Sequence, residues 1–70
     1  MTAPVLLVED DISIALVITT ALEEEGLKVI RCDTIAERDR LLATENYAAL
    51  ITDVMLKDGV LDPQGEAVKH

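Results

Sequence analysis

Glu9, Asp10 and Asp53 each sit at the end of an apolar run, and they are the side chains of this sequence best placed for chemistry. Glu9 and Asp10 follow Val5-Leu6-Leu7-Val8, and Asp53 follows Ala49-Leu50-Ile51-Thr52. If the two runs are neighbouring strands, three carboxylates meet in one small space. Two unit charges about 5 Å apart repel by roughly 3 kcal/mol at an effective dielectric near 20, so such a trio calls for a cation or a retained proton. Donors that are all oxygen, with coordination positions left open, suit Mg²⁺, which keeps several waters and bridges carboxylates to phosphates. A carboxylate beside that ion can also act as a nucleophile toward phosphorus. The metal would then neutralise charge on the phosphoryl group in transit.

The elements that must position these groups are legible in outline. Val5-Leu6-Leu7-Val8 shows no alternation, which suits a strand covered on both faces, the habit of parallel sheets. Residues 12–25 read as a helix, with Asp11 as N-cap and Gly26 just past its end. Ile14, Leu16, Val17 and Ile18 spread over more of its circumference than one buried stripe needs, so this helix is expected to touch a second partner besides the sheet. Residues 27–32 form a second strand, interrupted by polar residues as an edge strand would be. Thr34-Ile35-Ala36-Glu37 has capping-box spacing and opens a second helix over 35–43. Residues 49–53 are a third strand, led into by Asn46-Tyr47. Beyond it lie two turn signals, Lys57-Asp58-Gly59 and Asp62-Pro63-Gln64-Gly65, and residues 66–70 are expected to begin a third helix. The order is β-α-β-α-β, for which right-handed crossovers and parallel pairing are the default. Ligands of open α/β sheets bind beyond the carboxyl ends of the strands, where all three acids fall.

Composition narrows the classes. At 70 residues the chain is one small domain at most, with a thin stability margin. Cys32 is the sole cysteine, which excludes an internal disulfide and a Cys/His zinc cluster, and a lone thiol fits a reducing cytoplasm. A net charge of −8 argues against direct nucleic-acid binding. The longest apolar run, 14–18, is far too short to span a bilayer.

Val5-Leu6-Leu7-Val8-Glu9-Asp10-Asp11 and Leu50-Ile51-Thr52-Asp53-Val54-Met55-Leu56 resemble the first- and third-strand signatures of response-regulator receiver domains of two-component signalling. The resemblance covers the chain up to about Leu56. It implies a flavodoxin-like parallel sheet, here the N-terminal portion of one receiver, truncated to β-α-β-α-β with strand order 2-1-3. It also implies that Asp53 is the phosphoacceptor, that Asp10 and Asp53 ligate Mg²⁺ with Glu9 assisting through a water, and that the Met55 backbone carbonyl is a further ligand. The partner implied is a histidine kinase or a phosphotransfer protein, and the module is a switch, not an enzyme. Past Leu56 the chain departs from that pattern, with Lys57 where the family usually has proline. The hydroxyl and lysine residues of the later strands have no counterpart, and neither Lys57 nor Lys69 is assigned that role. Two other functions compete with this one. A pseudo-receiver would keep the fold as an interaction module. An Mg²⁺-dependent phosphohydrolase with an aspartate nucleophile would need an acid where Met55 stands.

The remaining polar residues have plainer readings. Asp58 and Asp62 are expected to be solvated turn residues, Glu23-Glu24-Glu25 a solvated helix end, and Cys32 a strand residue. Tyr47 is expected to pack at the start of the third strand, and His70 to have no role. An open edge on the third strand and the apolar helix 12–25 are expected to favour self-association.

Overall fold

The computed structural model describes residues 3–53 and 55–68. Three strands and two helices alternate as β1 (Val5–Val8), α1 (Ile12–Glu24), β2 (Val29–Cys32), α2 (Ile35–Thr44) and β3 (Ala49–Thr52). Two short strands follow, β4 (Met55–Leu56) and β5 (Gly59–Val60). The first three strands form a parallel sheet in the order β2-β1-β3, and β4 and β5 make an antiparallel hairpin. This is the α/β architecture and strand order that the sequence predicts. No helix among the described residues is long and apolar enough to cross a membrane.

The central strand is buried along its whole length because it has a neighbour on each edge and cover on each face. Leu6, Leu7 and Val8 have essentially no exposure, and burying each such side chain is worth about 1.5–3 kcal/mol. Successive side chains point to opposite faces, and the two faces are unequal. Leu6 and Val8 join Cys32, Ile35, Leu56 and Leu61 in one core, with Ile30, Leu41 and Tyr47 packed against it. On the other face, Ala15 is the buried residue of α1. Ile12, Ile14, Leu16 and Val17 are 48–72% exposed.

Local signals explain the ends of α1. The Asp11 carboxylate accepts from the Ser13 and Ile14 amides at 2.9 and 3.1 Å, satisfying two of the donors that a helix start leaves unpaired. At the far end Gly26 adopts φ +82°. The Leu27 amide then donates to the Leu22 carbonyl and the Gly26 amide to the Glu23 carbonyl, the two bonds of a Schellman turn. Completing that turn consumes residues 27 and 28, so β2 starts at Val29 and not at Leu27 as the sequence suggested.

Two expectations are corrected after β3 and a third is extended. No third helix begins at residue 66 among the described residues. The Asp62 carboxylate accepts from the Gln64 and Glu66 amides at 3.0 and 2.8 Å, and Gly65 takes φ +80°. The chain therefore reverses and runs back, with Leu61 bridged to Ala67 and the Val68 amide donating to the Val60 carbonyl. Asp62 is thus the organiser of this reversal and not merely a solvated turn residue. Asp58 is the exposed turn residue that was expected, but it has a further role: its two carboxylate oxygens accept from the Ile35 and Ala36 amides at 2.7 and 3.0 Å. The hairpin tip caps α2 from 22–23 residues away in sequence. Lys69 and His70, the end of the expected helix, lie outside the described residues.

Candidate metal centre

Parallel pairing of β1 with β3 does most of the work of assembling the site. Val8 stands opposite Thr52 in the register, and the ladder runs one step further through the Asp53 amide, which donates to the Val8 carbonyl at 3.0 Å. Glu9 and Asp53 consequently emerge side by side at the carboxyl end of the sheet, and Asp10 adds a third carboxylate from the start of the β1–α1 turn. One oxygen from each of Glu9, Asp10 and Asp53 can be chosen so that all three lie within 4.8 Å of one another. The structure thus brings together the three acids singled out from the sequence.

Their surroundings differ. Glu9 is buried, while Asp10 and Asp53 are half-buried and reach solvent. Glu9 is held at three points: its Oε1 accepts from the Asp11 amide at 3.1 Å, its amide donates to the Cys32 carbonyl, and its carbonyl accepts from Arg31 Nε at 3.1 Å. Arg31 is thereby turned to the backbone of Glu9. A fixed inner carboxylate flanked by two more accessible ones is a donor set suited to a hard divalent cation. Met55, the fourth ligand suggested by the sequence, opens β4 two residues past Asp53.

Sequence reasoning missed a second polar constellation that holds the chain after Asp53 in place. Lys57 Nζ lies 2.8 Å from Asp33 Oδ2, and Asp58 caps α2 as described. Both carboxyls are held below the ordinary carboxylate range, Asp33 by its bond to Lys57 and Asp58 by the Ile35 and Ala36 amides. Arg38, almost wholly buried, donates from Nη1 to the Gly65 carbonyl at 2.5 Å and from Nε and Nη2 to Asp39 Oδ1. One signal for Arg38 was available: it falls on the Ile35–Leu42 stripe of α2, on the face that meets the core. Asp58 offered none, because capping at this distance leaves no local pattern.

The arrangement is that of a small three-stranded parallel α/β module with a carboxylate cluster at the carboxyl end of its sheet. Residues 50–70 are similar to the PurS family, phosphoribosylformylglycinamidine (FGAM) synthase. That segment is less than a third of the chain and contains Asp53 and the whole hairpin. No curated protein and no solved structure matches the chain. The family match overturns the receiver assignment, because PurS is a different family. With that assignment go the phospho-acceptor function, the place in two-component signalling, and the histidine kinase, phosphotransfer and self-association partners inferred alongside it. The physical reason for the misleading likeness lies in the strand ends. An apolar run that stops at an acid is what a buried parallel strand looks like wherever its carboxyl end carries a polar site, so two such runs define a geometry before they define a family.

Proposed function

We propose that this chain is a divalent-cation-binding α/β module in which Glu9, Asp10 and Asp53 hold Mg²⁺, with the Met55 carbonyl as a fourth protein ligand. The ion's remaining positions would receive a phosphate-bearing small molecule. The observation that carries the reading is the convergence of three carboxylate oxygens within 4.8 Å at the end of a parallel sheet, where α/β folds place their ligands. Burial of Glu9 adds weight, since a carboxylate taken from water is retained at low cost only where it is paired or coordinated. The phosphate class draws on the similarity of residues 50–70 to a family named for a phosphoribosyl compound, and on the habit of Mg²⁺ of joining one or two carboxylates to a phosphate. In this reading the chain binds and presents the ion and is not by itself a catalyst.

Calorimetric titration with Mg²⁺ tests it. A single site of millimolar or tighter affinity is expected, and Asp10→Asn and Asp53→Asn should each weaken it about tenfold, equivalent to roughly 1.4 kcal/mol. Ribose 5-phosphate should bind only when Mg²⁺ is present. An affinity for Mg²⁺ that is unchanged in both variants would refute the assignment.

A further inference from the structure

A concavity lies between α2 and the reversal at residues 62–67, on the sheet face that carries the larger core. Its volume is about 530 Å³, within the range of small-molecule sites, which are commonly apolar with a few placed polar groups. Leu42, Leu50 and Ala67 give it an apolar surface, and Arg38, Asp39 and Glu66 give it charge. The charges are not equally available. Arg38 is locked from both sides, three of its N–H groups going to Asp39 Oδ1 and the Gly65 carbonyl. Asp39, 60% exposed, uses one oxygen for that purpose and keeps the other for solvent. No donor among the described residues pairs with the Glu66 carboxylate.

From this the geometry points to a binding site for a small organic cation with a flat apolar body, the body lying on Leu42, Leu50 and Ala67 and the cationic head facing Glu66 and the free oxygen of Asp39. An anion is disfavoured because it would have to approach two carboxylates to reach a guanidinium already engaged. A neutral ligand of the same shape would keep the apolar contact and lose the ionic one. Arg38 serves as a positioning residue: by tying Gly65 to α2 it holds the wall of the cleft upright. The Glu9, Asp10 and Asp53 cluster contributes nothing to this site, so the inference is independent of the cation reading above.

The test uses benzamidine as the cation, with benzamide and benzoate as its neutral and anionic counterparts, added to the full chain and followed by methyl NMR. Benzamidine should shift the Leu42, Leu50 and Ala67 methyl signals saturably, benzamide more weakly, and benzoate not at all. Glu66→Gln should weaken benzamidine about three- to fivefold, as expected for losing one solvent-exposed ion pair. The same affinities should be found with and without Mg²⁺. Benzoate binding as well as benzamidine, saturable shifts confined to Ile12 and Leu16, no saturable shift, or an unchanged Glu66→Gln would each overturn the proposal.

Discussion

Asp10→Asn should stabilise the metal-free chain and at the same time remove most of the stabilisation that Mg²⁺ gives. Asp10 is the cleanest place to remove a charge from the cluster, because it accepts no hydrogen bond among the described residues, whereas Glu9 holds the Asp11 amide. Oxygens of the three carboxylates lie within 4.8 Å of one another. At that separation each pair repels by about 1 kcal/mol at the dielectric of water and about 3 kcal/mol at an effective dielectric of 20. Asp10 and Asp53 are half-buried, which favours the lower part of that range. Neutralising Asp10 relieves two pairs, so the metal-free variant should be more stable than the parent by about 2 kcal/mol. For a chain of this size each kcal/mol raises Tm by roughly 4–8 °C. Mg²⁺ at ten times its Kd should then stabilise the parent by about 1.4 kcal/mol and the variant hardly at all. The assay is a thermal melt followed by circular dichroism, in EDTA and across a MgCl₂ series, with KCl used to hold ionic strength constant. The reasoning fails if Asp10→Asn melts below the parent in EDTA. It also fails if the variant keeps the full Mg²⁺ gain, or if KCl alone reproduces that gain, since screening would then account for it.

Two further outcomes follow from the same structure. Asp33 and Asp58 both have carboxyls depressed below the ordinary value of 3.8, so the stability they contribute is present above that value and is lost as pH falls through the lower, folded-state one. Amide chemical shifts of Ile35 and Ala36 followed from pH 6 to pH 2 should report release of the hairpin tip in that acid window, and Asp58→Asn should remove the Asp58 part of the transition. Leu6→Ala, at a position with no exposure, should cost about 2–5 kcal/mol. In so small a chain that loss should leave a largely unfolded population at 25 °C, visible as loss of the cooperative melt.

The parts of the fold readable from sequence were those governed by local patterns. Val5 to Val8 has no polar face and so had to be a covered strand; Asp11 and Gly26 mark the ends of α1 through their own backbone bonds, and the parallel order followed from helices linking short strands. The carboxylate cluster was readable for the same reason, since an acid placed just past a strand inherits that strand's position in the sheet. After Leu56 the outcome depends on contacts between distant residues. Asp58 looked like an ordinary turn aspartate because its partners, the Ile35 and Ala36 amides, are more than twenty positions away. Glu66-Ala67-Val68 looked like a helix start, but Asp62 gathers the Gln64 and Glu66 amides and Gly65 turns the chain back on β5. The half-formed capping box at α2 is instructive too: Thr34 accepts from the Glu37 amide as its spacing suggests, while Glu37 turns outward to Arg40 at 2.7 Å.

The cap on α2 also has a bearing on the order in which the chain becomes structured. Thr34 can satisfy one amide of the first turn as soon as the helix forms, but the Ile35 and Ala36 amides must wait for a residue made 22–23 positions later. Until Asp58 has emerged and β3 has joined the sheet, α2 carries unpaired donors at its positive end and is held chiefly by Thr34 and its own apolar stripe. Closing a loop of that length is a non-local event, and such events are slow relative to helix growth. The cap on the second helix, though that helix precedes the third strand in sequence, is therefore completed only when the chain beyond that strand docks.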